Sequence, residues 1–375
     1  MNILFASTQF PQENRPYYCV YLYQQAKALM DLGHRVDVLI PWEGGDTSHV
    51  IKEHFRGLDM YRIGFTRTKA SLLTYGIKGS FASLATQLLG GYDCLSIHLA
   101  PDCIKHSLIS CAKQAGVKTF LHFHGQNVWH DYNEAHPMLG KVLAWRRKFL
   151  LQSVDGLIGV SQKVCDRIRE GLPHTNSHVV YNGVDPDLFV PGEKANVFTV
   201  SIVANLIPIK GHLPLFHAFS YLKNIHSDVQ LVVVGTGPME GTLKTLAVEL
   251  GIEKQTVFTG AMDYPKVANC LSRSHVFAMP SYFEALGCVY LEAMACGTPV
   301  VGCAGQGIEE IIFSGENGYL VKPQESKELG ERLCYLYEYP EKREQMGRAG
   351  RKTVFNGYTW KHSAQSLFQV YQSKQ

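Results

Sequence analysis

Residues 3–41 read ILFASTQFPQENRPYYCVYLYQQAKALMDLGHRVDVLIP, and how this stretch divides decides the fold. Ile3 to Ala6 is a short apolar run, Tyr21 to Leu32 carries apolar side chains at the spacing of a helix face, and Val36 to Pro41 is apolar again. Gly33 stands where the helix should stop, because a residue without a Cβ enters the left-handed conformation of a helix end at little cost. Strand, helix and strand in that order predict a βαβ unit.

Working outward, apolar runs recur at Cys94 to His98, Thr119 to His124 and Gly156 to Val160, each beside a helix-like stretch. Strands that are apolar throughout suit a parallel sheet covered on both faces, so the first half is expected to be doubly wound α/β. After Tyr181 to Asp185 the chain turns to loop residues (Asn182, Gly183, Pro186, Pro191, Gly192), which predicts a linker near 186–196. The second half repeats the logic with Thr199 to Ala204, a helix from His212 to Leu222, and Val229 to Val234 before Gly235, Gly237 and Pro238. Two Rossmann-like domains are therefore expected, over 1–188 and 189–357.

Composition agrees. A chain of 375 residues exceeds what one core usually supports, and 46% hydrophobic with 18% charged residues is a globular composition. The net charge of +3 comes from 36 basic against 33 acidic side chains, too even for a dedicated nucleic-acid binder, so no nucleic-acid partner is expected. The ten cysteines are scattered without a CxxC pair and read as reduced, small hydrophobes. The chain starts on a strand-like run rather than a secretory signal, and no stretch has 18 uncharged apolar residues, so a cytoplasmic location is expected, with attachment to a membrane surface left open. The surface candidate is Leu139 to Leu151, where Val142, Trp145 and Phe149 recur at spacings of three and four beside Arg146, Arg147 and Lys148. The alternative is that Trp145 and Phe149 pack on the sheet.

Ligands of open α/β sheets bind outside the carboxyl ends of strands, which directs attention to the residues after the apolar runs. Pro280 to Gly287 closes one strand and opens a helix. Such a turn offers free backbone N–H groups, and Glu284 and Glu292, eight apart, are acceptor-only carboxylates able to grip diols or simply to decorate a helix start. Lys210, in Asn205 to Gly211, can be aimed into a cleft as a fixed cation for an anionic group or be a solvated lysine. His122 and His124 share one strand face; this pair invites a metal reading, but the further ligands have no recognisable spacing, and no bound metal is expected.

Taken together, Pro280 to Val301 with its glutamate, seven residues, glutamate pattern, Tyr181 to Asp185, Lys210–Gly211, Val234 to Pro238, Phe258 to Gly260 and Asn317 to Pro323 resemble the retaining GT-B glycosyltransferases of family 4. The resemblance covers almost the whole chain. It implies two Rossmann-like doubly wound domains facing a central cleft, with a C-terminal helix over 358–375 joining the first domain. It implies a metal-independent hexosyltransferase with no cofactor. The donor would be a nucleotide-diphosphate sugar and the acceptor a glycan or a lipid-linked glycan, in cell-surface polysaccharide or glycoconjugate synthesis, with an anionic membrane surface as a further partner. Glu284 and the amides of Ala285, Leu286 and Gly287 would contact the donor sugar, Glu292 the ribose, Lys210 and the Asn205 loop the diphosphate, and His124 the sugar, while His122 is read as a core histidine. Asn205 replaces a common arginine, Asn127 a common acidic residue, and Tyr17, Tyr18 and Cys19 stand where a glycine is usual. Asn205 and Cys19 leave a catalytically silent nucleotide-sugar-binding protein as a rival, and a nucleotide-sugar epimerase or sugar phosphorylase on the same fold is another. A metal hydrolase built on His122 and His124 is a third.

Overall fold

The computed structural model describes residues 1–13, 18–67, 77–126, 128–129 and 140–373. The chain divides into two compact units, Met1–Tyr181 with Trp360–Gln375, and Asn182–Thr359. The division falls ahead of the loop-rich stretch 186–196, because Val184 already pairs with Thr359 inside the second unit.

In the first unit β1 (Asn2–Ala6), α1 (Val20–Asp31) and β2 (Arg35–Glu43) form the βαβ start, and Gly33 takes φ +85° at the helix end. Strands β3 (Val50–Phe55) and β4 (Leu58–Arg67) then make an antiparallel hairpin, and the short β5 (Ile77–Lys78) pairs with β4. After these, α2 (Phe81–Leu89), β6 (Cys94–Ile97), α3 (Asp102–Ala115), β7 (Lys118–Phe123), α4 (Gly140–Gln152), β8 (Gly156–Gly159), α5 (Gln162–Gly171) and β9 (Ser177–Val179) alternate. The sheet runs β3-β4-β2-β1-β6-β7-β8-β9 with β5 beside β4, and it is parallel apart from the pairings of β3 and β5. Each residue from Ile3 to Ala6 is no more than 1% exposed, which fits helices on both faces and explains why that strand shows no polar alternation.

The second unit contains β10 (Phe198–Val203), α6 (His212–Ile225), β11 (Val229–Val234), α7 (Glu240–Glu249), β12 (Thr256–Gly260), α8 (Tyr264–Arg273), β13 (Val276–Ala278), α9 (Cys288–Ala295), β14 (Val300–Cys303), β15 (Tyr319–Val321), α10 (Ser326–Glu338) and α11 (Pro340–Gly357). Its six strands are all parallel in the order β12-β11-β10-β13-β14-β15. The strand order therefore reverses between β10 and β13, the place where a crevice opens at the carboxyl ends of a doubly wound sheet.

The last helix, α12 (Trp360–Gln372), belongs to the first unit. Its Trp360, Ala364, Leu367 and Tyr371 lie in one apolar cluster with Ile3, Phe5, Leu22 and Phe120. The removal of that surface from water is what ties the end of the chain to its beginning.

Candidate active site

In the second unit the site is built where the order reverses. After β10 the chain makes a tight turn at Pro208–Lys210 and continues through Gly211, φ +78°, into α6. A Cβ on Gly211 would lie 2.3 Å from the Pro280 carbonyl oxygen, so glycine here lets this turn sit against the loop that follows β13. The two loops are also stitched together by polar contacts. The Ile209 carbonyl accepts the Tyr282 N–H at 3.1 Å and the Ser281 hydroxyl at 2.9 Å.

This close approach brings Lys210 to Glu284, with Nζ 2.5 Å from Oε2 and the two side chains 21% and 13% exposed. A charge pair shielded to this degree is stronger than a surface pair, and it holds both groups in one geometry. The backbone of Glu284 is fixed as well, its N–H donating to Gln306 Oε1 at 3.0 Å and its carbonyl accepting the Gly307 N–H at 3.2 Å. Ala285 and Leu286 are buried, and Gly287, at φ +81°, caps α9. One turn into that helix Glu292 is 7% exposed and accepts the Tyr264 hydroxyl at 2.9 Å. Burial raises the Glu292 carboxyl to about 7 and also pushes the Tyr264 phenol well up, so the tyrosine stays a donor. Asn205 lies exposed in the loop after β10. Gly235 packs against that loop, since a Cβ there would meet the Ala204 carbonyl oxygen at 2.0 Å.

In the first unit His124 follows β7 and is accompanied by two more histidines. Register places Ile97 beside Leu121, so His98, next along, comes beside His122. The period of two puts Ser96 on the same face as His98, and His124 on the same face as His122. His98 Nδ1 is 3.0 Å from His124 Nε2, and the Ser96 hydroxyl is 2.8 Å from His122 Nε2 and 3.2 Å from His98 Nε2. Ligand nitrogens of the three rings lie within 4.8 Å of one another, so the third histidine that spacing did not reveal is His98. Burial holds His98 and His122 well below the usual imidazole range and His124 down at about 4. His122 is thus a buried histidine, bound to Ser96 and to the end of the chain through Tyr371, 3.3 Å away.

Nearby, Cys19 precedes α1 at φ +51°, a left-handed backbone that glycine adopts more easily, and Tyr18 is exposed. Tyr17 and Asn127 lie outside the described residues. Along α4, Trp145 and Phe149 are 67% and 61% exposed, with ring centroids 6.2 Å apart, so they do not pack on the sheet. One expectation for this helix is corrected: Arg147 is 4% exposed and donates to Asp102 at 2.7 Å, which removes it from the basic face.

Neither the Lys210–Glu284 pair nor the histidine cluster with Ser96 and Tyr371 emerged from sequence reasoning. His98 could have been found by the rule used for His124, since it also follows an apolar strand.

Comparison with known proteins gives the site its context. The family described as Glycosyltransferase Family 4 matches residues 20–188, and that described as Glycosyl transferases group 1 matches residues 185–353. A GDP-mannose-dependent monoacylated alpha-(1-6)-phosphatidylinositol monomannoside mannosyltransferase of Corynebacterium glutamicum is 30% identical over 286 residues, 70% of this chain and 72% of that one. Sucrose-phosphate synthase of Thermosynechococcus elongatus shares the fold at a TM-score of 0.77, with 21% identity over 99% of this chain and 98% of that one. So does Anabaena HepE, solved with UDP, at 0.76 with 20% identity over the whole of both chains; it has also been solved with UDP-glucose. The chain therefore belongs to the group 1 glycosyl transferases of family 4 and is a glycosyltransferase of the GT-B class.

Proposed function

We propose that the protein transfers a hexosyl unit, with retention of configuration, from a nucleotide-diphosphate sugar to a glycan or lipid-linked acceptor. The observation that carries this reading is the placement of Lys210, Glu284 and Glu292 on the loops and helix after β10 and β13, at the reversal of strand order. The donor classes named for similar proteins, GDP-mannose and UDP-glucose, are both nucleoside diphosphate sugars, and the Corynebacterium relative acts on a phosphatidylinositol mannoside.

In this reading Glu292 accepts the ribose hydroxyls and Glu284 those of the sugar. The backbone of Ala285, Leu286 and Gly287 contacts the sugar as well, and Asn205 lies beside the diphosphate. Lys210 meets the charge that develops on the diphosphate as it leaves, a role for which we invoke no metal or cofactor. Glu284 is engaged by Lys210 rather than poised as a nucleophile, which supports a mechanism without a covalent sugar–enzyme intermediate. His124 of the first unit orients the sugar. The acceptor is delivered at the inner face of the cell membrane, where the exposed Trp145 and Phe149 pair inserts beside Lys148.

The experiment is a donor screen by calorimetry over uridine, guanosine and adenosine diphosphate sugars, followed by transfer assays with Lys210→Ala. Loss of one such charge-stabilising donor costs about 2.7–4 kcal/mol, so turnover should fall roughly a hundredfold to a thousandfold with the fold intact. Undiminished turnover in the folded variant would remove Lys210 from the mechanism. Donor binding without transfer to any acceptor would leave a silent sugar-nucleotide binder.

A further inference from the structure

Burial holds the clustered His98, His122 and His124 below the usual imidazole range and so neutral, and a neutral imidazole has one donor and one acceptor nitrogen, decided by what its two nitrogens face. Among the described residues His124 Nδ1 is buried and has no hydrogen-bond partner. A ligand group would meet it as an acceptor or as a donor according to which nitrogen carries the proton. That assignment is made elsewhere in the network.

Tyr371 lies on α12, is 1% exposed, and its burial keeps the phenol protonated; it donates to Ser96 Oγ at 2.7 Å. The Ser96 hydroxyl has one proton to give and two histidine nitrogens in reach. The nearer is His122 Nε2 at 2.8 Å, against 3.2 Å for His98 Nε2. Given to His122, that proton leaves Ser96 Oγ as an acceptor toward His98, so His98 carries its proton on Nε2. His98 Nδ1 is then bare and accepts the His124 Nε2–H across 3.0 Å. His124 is left with a bare Nδ1.

We propose that Ser96, oriented by Tyr371, is a positioning residue that sets the tautomer of His98 and through it that of His124, so that His124 Nδ1 accepts a hydroxyl of the bound sugar. This rests on the reading above that His124 meets the sugar. A metal held by the same three rings, whose ligand nitrogens lie within 4.8 Å of one another, is the rival arrangement, and the metal content of the purified protein distinguishes the two. The rings also pack in series, His98 against His122 at 4.1 Å and against Phe5 at 4.5 Å between centroids, tilted by 33° and 47°, which restrains their planes.

Histidine-selective nitrogen NMR on the full chain tests the proposal directly, since ring nitrogens with and without a proton resonate far apart. Wild type should show His124 protonated at Nε2 and bare at Nδ1, and His98 the same. In Ser96→Ala both rings should become mixtures of tautomers, with kcat/KM for transfer down about three- to tenfold, the worth of one hydrogen bond. Ser96→Thr, which keeps the hydroxyl, should restore both. A proton on His124 Nδ1 in wild type, or stoichiometric metal in the purified protein, overturns the relay. His124→Ala with unchanged kcat/KM would instead remove the sugar contact while leaving the tautomer result standing, so the two failures are distinguishable.

Discussion

At the scale of a residue, Glu292 is where the candidate site and stability pull against each other. Its carboxyl sits at about 7 in the folded chain against an ordinary 4.5, because burial disfavours the charged form. A group whose folded value is raised holds its proton more tightly when folded, so stability is lost as pH climbs from about 4.5 to about 7 and does not return above it. Glu292→Gln cannot ionise. It should therefore match wild type near pH 4.5 and exceed it above pH 7 by roughly 1–3 kcal/mol, the range for an unsatisfied buried polar group, read as a higher Tm. Binding should change the other way. Ribose hydroxyls donate to the carboxylate, so nucleoside diphosphate binding should release protons near pH 7 and make the calorimetric enthalpy depend on buffer, whereas Glu292→Gln should bind more weakly and without that dependence. Identical buffer behaviour in both proteins would remove the ribose from Glu292.

At the scale of elements, the site depends on two loops from neighbouring strands meeting with no side chain between them. Gly211 has φ +78° and the Pro280 carbonyl 2.3 Å from where a Cβ would stand, and backbone cannot swing aside as a flexible side chain can. Gly211→Ala should thus push the Lys210 turn away from Glu284, destabilise the unit by about 1–3 kcal/mol and weaken donor binding at least tenfold. Gly251 is the internal control, also at positive φ, +64°, but with nothing within 4 Å of an added Cβ. Gly251→Ala should cost about 1 kcal/mol and leave donor affinity unchanged. Equal affinity in the two variants, measured by calorimetry, would show that the close approach is not what positions Lys210. The hairpin of β3 and β4 is a second lesson at this scale. Arg56 and Gly57, both at positive φ, +49° and +91°, form the two-residue turn that joins them, a signal present in the sequence but overshadowed by the βαβ pattern.

At the scale of the whole molecule, no described helix is long and apolar enough to cross a membrane, and the net charge is only +3. The proposed attachment to anionic lipid then needs a local feature, and α4 offers one in Val142, Trp145 and Phe149, exposed by 47%, 67% and 61%. With Arg147 spent on Asp102, Lys148 is, among the described residues, the exposed cation nearest this stripe in sequence, and the aromatic pair has to provide most of the attachment. In flotation with anionic liposomes, Trp145→Ala with Phe149→Ala should abolish binding, and Lys148→Gln should weaken it about fivefold, the value of roughly 1 kcal/mol per basic side chain. Wild type left at the bottom of the gradient would exclude a membrane role for this helix.

Periodicity and punctuation along the chain were sufficient for the doubly wound α/β class, because a strand buried on both faces and a helix with one apolar stripe are written in residues three to six apart. The strands after which a ligand site should lie were legible for the same reason, and with them the candidates Lys210, Glu284, Glu292 and His124, whose roles came from the family resemblance. What those side chains touch was not. Lys210 and Glu284 are 74 residues apart, and Ser96 and Tyr371 are 275 apart. Their meetings depend on strand register, on a glycine that lets two backbones touch, and on a final helix drawn back onto β1 and β7 by the burial of Trp360, Leu367 and Tyr371. Local spacing cannot encode such distances. They are decided when the whole core packs, and the carboxyl of Glu292 and the tautomer of His124 are set by that packing.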